Sequence, residues 1–358
     1  MSSTKNTAPT LNESGFKGSR RKQTSTTRKT KPKASRTTTS RTTTTTEEPL
    51  PITLSDDAIE LLEQNKEYPK NVLGMYILLA DQDVENYDDN SDWDPRLYEY
   101  QQKGANVLYF TFIHPDSMQV PRAFRKLAAT RGSSKPGSVP SNTRIIFAIG
   151  GYSYSIKPNP WDWLTSKDKA ENMAERVATW PEKYGCDGID LDLEAGAGNK
   201  KAAGRNMVHF IRKLRQLQPD ILIGQPTYGY PQVAAENYVI NHANNLINSV
   251  GLMVYEGTSS LNYVKNYAKA TDQWEGFPIT SNTPSHNILL GCKGSARSKD
   301  IAALAEGALD RDLLGIMVWY ASVRNGFQYE KTWDASISKS SQKAFVAAKN
   351  KLTPLPKY

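Results

Sequence analysis

The chain has 358 residues, enough for one large domain or two small ones. Its formal charge of +8 is unevenly spread: of 45 Lys/Arg and 37 Asp/Glu, Met1–Thr46 holds 11 and 1, so this tail carries about +10 and the remaining 34 and 36 leave the rest near −2. No apolar stretch follows Met1 and no run of about 18 apolar residues occurs, so neither a classical secretory signal peptide nor a membrane span is expected, and two cysteines make no disulfide framework.

In chain order, residues 1–50 form a Ser/Thr/Lys/Arg-rich tail that buries too little apolar surface to offset chain entropy, so disorder is expected. Its clusters SRRK and RKTKPK fit a polyanion contact or nuclear import. A solubilising linker, or modification by phosphate or O-glycan, stays open. Residues 51–70 are a short lead-in, with Ser55-Asp56-Asp57 capping the helix AIELLEQN. From residue 71 to 358 strands and helices alternate. NVLGMYILLA (Asn71 to Ala80) is a buried strand, followed by an acidic loop from Asp81 to Pro95. ANVLYFTFI (Ala105 to Ile113) is the second strand, and a helix is expected over Arg122 to Arg131. RIIFAIGG (Arg144 to Gly151) is the third, and its two glycines permit close backbone approach. An aromatic loop, YSYSIKPNPWDW, leads to a helix over Lys167 to Tyr184.

The fourth strand lies in GCDGIDLDLEAG, Gly185 to Gly196. A basic amphipathic helix follows from Asn199 to Leu217, stopped by Pro219. ILIGQPTYGY (Ile221 to Tyr230) holds the fifth strand and its loop, and Ala234 to Ile247 is helical in pattern. VGLMVYE, NILLGC and LGIMVWY supply the sixth, seventh and eighth strands, with late helices over Lys299 to Leu313 and Lys339 to Lys351. Short, nearly all-apolar strands alternating with helices argue for a parallel sheet covered on both sides. Eight of them in this length suit a closed (β/α)8 TIM barrel behind a disordered basic tail. A doubly wound open sheet is the alternative, but the stretch after the first strand, MYILLADQDVEN, has no Gly-rich phosphate loop. Cys186 and Cys292 fall near core strands and are expected as buried free thiols.

The fourth strand concentrates the chemistry. Alternation points Asp190, Asp192 and Glu194 one way and Ile189, Leu191 and Leu193 the other. Consecutive acids on that face sit about 6.6–6.8 Å apart. Like charges so close cannot all ionise freely, so at least one carboxyl is held protonated towards neutral pH, as a general acid requires. Asp187 has the opposite parity and a structural role is expected for it. A solvated acidic edge is one other reading, which the Ile-Leu-Leu face opposes. A divalent-cation site is another, but its ligands would converge from a loop rather than run along one strand.

DGIDLDLE resembles the DGxDxDxE signature of family 18 glycoside hydrolases, the chitinases and related endo-β-N-acetylglucosaminidases. The sixth-strand Met253-Val254-Tyr255-Glu256 is similar to the family's MxYD, and Met317-Val318-Trp319 to its floor tryptophan. The resemblance implies a TIM barrel with its site at the C-terminal strand ends. It implies that Glu194 protonates the glycosidic oxygen, that Asp192 orients the substrate's acetamido N–H above a deeper Asp190, and that Tyr255 bonds the acetamido oxygen. The sugar's own amide then attacks C1, a substrate-assisted exception among retaining glycosidases. Trp319, Met253, Glu256, Gln225 and Tyr76 are the substrate-binding candidates. Trp161, Trp163, Tyr228, Tyr230 and Trp274 are candidates to stack on further sugars.

Two departures from the pattern stand out. Ala148 replaces the serine of the family's SxGG, which puts the protonation of Asp190 in question, and Glu256 is one methylene longer than the usual Asp. The short segment before the eighth strand leaves no room for a large inserted subdomain, which points to endo-acting cleavage. No metal or organic cofactor is expected. The implied partner is chitin or another GlcNAc-containing glycan, met by a monomer, with an endo-β-N-acetylglucosaminidase or a chitin-binding lectin as alternatives. Without a signal peptide, the expected location is intracellular, or outside after non-classical release.

Overall fold

The computed structural model describes residues 67–78, 105–134, 138–156, 161–229, 233–255, 257–268, 273–274, 277–278, 283–293 and 298–322. The basic tail, the helix AIELLEQN, the acidic loop after the first strand and the helix over Lys339 to Lys351 lie outside the described residues, as do Tyr230 and Glu256.

Among the described residues eight parallel strands close a barrel. They are β1 (Val72–Leu78), β2 (Val107–Ile113), β3 (Arg144–Gly150), β4 (Gly188–Asp192), β5 (Leu222–Thr227), β6 (Ser249–Leu252), β7 (Ile288–Lys293) and β8 (Gly315–Ser322). Each strand pairs with the next, and β8 returns to β1. Among the described residues, the helices longer than one turn between them are α1 (Arg122–Ala128), α2 (Lys167–Val177), α3 (Trp180–Tyr184), α4 (Lys201–Leu217), α5 (Ala234–Ala243) and α6 (Ser298–Leu309). The chain is therefore a (β/α)8 TIM barrel. None of these helices is long and apolar enough to cross a membrane.

Strand alternation sorts the apolar residues into two cores. Ile189 and Leu191 join Phe147, Ile223, Phe210 and Leu214 in the larger cluster between strands and helices. Val72, Tyr76, Tyr109, Ile146, Ala148, Leu222, Leu289 and Met317 form the second cluster, inside the barrel. In α4, Ala203, Met207, Phe210, Ile211 and Leu214 recur every three or four residues and are buried. Each large side chain so buried stabilises by about 1.5–3 kcal/mol. α2 is capped by Ser166, whose Oγ accepts the Lys169 N–H at 3.3 Å.

Several expected boundaries shift, for local reasons. The helix expected over Lys167 to Tyr184 is two helices, because Pro181 cannot donate within a helix and instead sits in the first turn of α3. The helix from Ala234 ends at Ala243 and tightens into a 3₁₀ turn over Asn244–Leu246. β4 and β6 stop earlier than expected. Leu193 N–H turns back onto Leu191 O at 3.1 Å, and Val254 N–H onto Leu252 O at 2.8 Å, so both strands finish in a tight turn. Glu194, Met253 and Tyr255 consequently lie just past the strand ends rather than on them.

Asp187 behaves as its parity predicts. Arg131, after α1, grips it with both terminal nitrogens, Nη1 at 3.0 Å from Oδ1 and Nη2 on Oδ2. The Ile145 N–H adds a bond to Oδ2 at 2.6 Å. Both side chains of this ion pair are almost wholly buried. Cys186 and Cys292 are buried and free, as expected.

Candidate active site

Asp190 faces Ala148 on β3 and Gly224 on β5 across the ladder. Neither neighbour offers a polar side chain, and Gly224 has no room for one. A Cβ there would lie 2.3 Å from Asp190 Oδ1. The donor comes instead from β1, where Tyr76 Oη donates a hydrogen bond to Asp190 Oδ2 at 2.8 Å. Tyr76 is in turn stacked on Tyr109, with centroids 4.3 Å apart. Burial pushes the Asp190 carboxyl up to about 7, against the pull of the Tyr76 bond.

Asp192 pairs with Gly150, whose φ of +104° and contacts suit only glycine. A Cβ at Gly150 would strike the Asp192 carbonyl and the Trp161 ring, both at 2.4 Å. Asp192 Oδ1 is buried and has no hydrogen-bond partner among the described residues. Burial, followed by the facing carboxyls of Glu194, Asp190 and Glu236, holds its carboxyl well above the usual range. A proton on this side chain is therefore favoured, and its free oxygen is ready for a partner that a ligand would bring.

Glu194 stands at the C-terminal rim, only 8 % exposed. Its main-chain N–H donates to Ser155 Oγ at 2.9 Å. Tyr228 Oη donates to Glu194 Oε2 at 2.6 Å. Burial raises its carboxyl, while the Tyr228 phenol and the Tyr152 main-chain N–H pull it back. Tyr255 is held neutral, chiefly by burial and then by the charges of Asp192 and Glu194 that it faces. The three acids thus form a row in which the deeper two favour protons and the outermost is poised to change state. That is the disposition of a general acid with supporting carboxyls.

The remaining predicted residues fall on either side of this row. Trp319 lies beside it, its ring edge-on to Tyr76 at 5.9 Å and tilted against Phe112 at 5.5 Å. Met253 packs against the same interior cluster, only partly buried. Gln225 is 1 % exposed, and its Nε2 donates to the main-chain oxygens of Leu191 and Pro226, each at 2.9 Å. Tyr76 spends its hydroxyl on Asp190. Trp161 and Trp163 do not form a sugar platform. Both are 4 % exposed, Trp163 donates to Pro115 O at 2.9 Å and packs on Phe210 of α4, and Trp161 lies against Gly150 at the barrel end. Among the described residues no three His, Cys, Asp or Glu side chains are grouped to hold a metal ion.

Ser155, Tyr228, Thr227, Glu236 and Tyr267 complete the surroundings of Glu194 and were not singled out for this role from sequence. Thr227 and Tyr228 end β5 and begin its loop, Glu236 sits in the first turn of α5, and Tyr267 follows the 3₁₀ stretch after β6. Tyr267 Oη donates to the Tyr228 carbonyl and lies 3.0 Å from Thr227 Oγ1. Thr227 Oγ1 lies 2.8 Å from Glu236 Oε2. An acidic residue in a first helical turn ordinarily reads as favourable to the helix dipole, which conceals its second use here.

The chain matches the family model for glycosyl hydrolases family 18 over residues 83–336. Among solved structures it is similar to a chitinase from Bacteroides thetaiotaomicron, with TM-score 0.53 and 13% identity over 77% of this chain and 96% of that one. A family 18 chitinase from the chitin utilization locus of Flavobacterium johnsoniae gives TM-score 0.52 and 17% identity over 78% and 96%. One from Pseudoalteromonas aurantia gives 0.51 and 15% over 75% and 99%. At such identities the likeness is one of fold. A sequence search of curated proteins finds no match.

Proposed function

The chain belongs to glycosyl hydrolase family 18, and on that premise we propose that it hydrolyses β-1,4-linked N-acetylglucosamine polymers, chitin or chitooligosaccharides, with retention of configuration. The observation that carries this reading is the buried row Asp190, Asp192 and Glu194, in which Asp192 Oδ1 has no partner among the described residues and Glu194 lies outermost, just past the end of β4. Glu194 gives its proton to the glycosidic oxygen. The substrate's 2-acetamido oxygen attacks C1 as that bond breaks. Asp192 takes the acetamido N–H on its free oxygen and stabilises the positive charge that develops there. Tyr255 donates to the acetamido oxygen, and Trp319 covers the apolar face of the sugar at the cleavage point. Water then opens the oxazolinium ion, its proton returning to Glu194. Cleavage is internal to the polymer, and the chain acts without metal or cofactor.

Hydrolysis of N-acetylchitooligosaccharides, with the anomer of the fresh products read by NMR, tests this. The wild type is expected to give the β-anomer and to leave unacetylated glucose polymers uncut. Glu194→Gln is expected to lose about 10²–10⁴-fold in turnover. Undiminished turnover by that variant, or α-anomeric products, would overturn the assignment.

A further inference from the structure

The bonds around Tyr228 can be counted proton by proton. A main-chain carbonyl only accepts, so Tyr267 Oη must donate to the Tyr228 carbonyl. That uses the one proton of Tyr267, so its contact with Thr227 Oγ1 at 3.0 Å must be donated by Thr227. Thr227 then has no proton left for Glu236 Oε2 at 2.8 Å. That contact closes as a hydrogen bond only if the glutamate itself is the donor. Thr227, Tyr267 and Glu236 are all 1 % exposed or less, which keeps competing water away. Glu236 Oε1 is buried with no hydrogen-bond partner among the described residues, a state far less costly for a neutral acid than for a carboxylate.

We infer that Glu236 keeps its proton and heads a chain of donors, Glu236 to Thr227 to Tyr267 to the Tyr228 carbonyl, which holds the Tyr228 phenol on Glu194 and so positions and tunes the general acid. The inference rests on Glu194 being that acid. Burial pushes the Glu236 carboxyl well above its ordinary range, with the charge of Glu194 adding to it and the contacts with the Thr227 hydroxyl and the Tyr228 main-chain N–H pulling back, so that the net direction agrees with the proton count. The groups facing Glu194 are Tyr228 from the β5 loop, Asp192 from β4, Tyr255 from beyond β6, Glu236 from α5 and the Tyr152 N–H from after β3. Among the described side chains, Tyr228 is the one that donates to its carboxylate. The Tyr228 bond stabilises the carboxylate that remains once the proton has gone to the leaving group, so it favours the glycosidic step as well as the geometry.

The test reads Glu194 directly, by carboxyl-¹³C titration of glutamate-labelled protein, with its resonance identified by its loss in Glu194→Gln. Tyr228→Phe is expected to move that titration to higher pH, to move the basic limb of kcat/KM with it, and to lower kcat at the optimum about tenfold or more. Glu236→Gln retains a donor to Thr227 without a charge change and is expected to leave the Glu194 titration in place. In the wild type at neutral pH, an infrared band of a protonated carboxyl is expected that Glu236→Gln removes and Glu194→Gln does not. An unmoved Glu194 titration in Tyr228→Phe overturns the clamp. A lower one in Glu236→Gln, or no such band, overturns the neutral glutamate, and the band holds even if Tyr228→Phe folds poorly. Titration and band need no substrate, so a wild type that cuts no chitooligosaccharide would sink the hydrolase reading and leave this one standing or falling on its own.

Discussion

Replacing Asp190 by Asn gives the most quantitative check on the barrel interior. The Asp190 carboxyl is 2 % exposed, and burial raises it from 3.8 to about 7. A group whose folded pKa lies above its unfolded one stabilises fully below the unfolded value, and this contribution is lost as pH rises to the folded value. The window is therefore about pH 4 to about pH 7. At about 1.36 kcal/mol per unit, the shift corresponds to about 4 kcal/mol in all, of which about 3 kcal/mol falls between about pH 4.5 and about pH 8. Asparagine is neutral throughout and its amide oxygen still accepts from Tyr76, so Asp190→Asn lacks this dependence. Asp192 is itself raised in part by the Asp190 charge, and relieving it changes the slope in the same direction. Urea unfolding of both proteins, followed by tryptophan fluorescence at several pH values, measures the difference. The variant should gain about 3 kcal/mol on the wild type between the two ends. Parallel stability curves would refute the claim that this acid is held protonated by its surroundings.

Two further substitutions test the frame around the acids. Arg131→Met strands the buried Asp187 charge with, among the described residues, only the Ile145 N–H, and is expected to cost about 3–5 kcal/mol in unfolding free energy. Adding Asp187→Asn should recover much of that loss. Gly224→Ala places a methyl group 2.3 Å from Asp190 Oδ1, and is expected to cost about 1–3 kcal/mol and to lower turnover of chitooligosaccharides by displacing the carboxyl.

The barrel and the acid row were legible in sequence because both rest on periodicity. Apolar strands of the right number and spacing predict closure, and alternate parity assigns Asp190 and Asp192 to the lumen and Asp187 to the helix side. What was not legible depends on how loops fold back. Trp161 and Trp163 resemble sugar platforms in a string of residues, yet the loop buries them against Gly150 and Phe210. The missing hydroxyl at Ala148 put Asp190 in question, yet a phenol from β1, 114 residues away in sequence, reaches the same carboxylate. Tyr228 has the same character: its ring suggested stacking, whereas its hydroxyl meets Glu194 and its carbonyl meets Tyr267.

Tyr76 on the first strand serves Asp190 on the fourth, and Tyr228 after the fifth serves Glu194 after the fourth. A split of the gene between β4 and β5 would therefore leave the carboxylates and Tyr76 on one fragment and Tyr228 on the other, neither able to complete the row. Half-barrels of this chain are incomplete in chemistry as well as in packing, and only a reassembled pair of fragments would place the two parts within reach of each other.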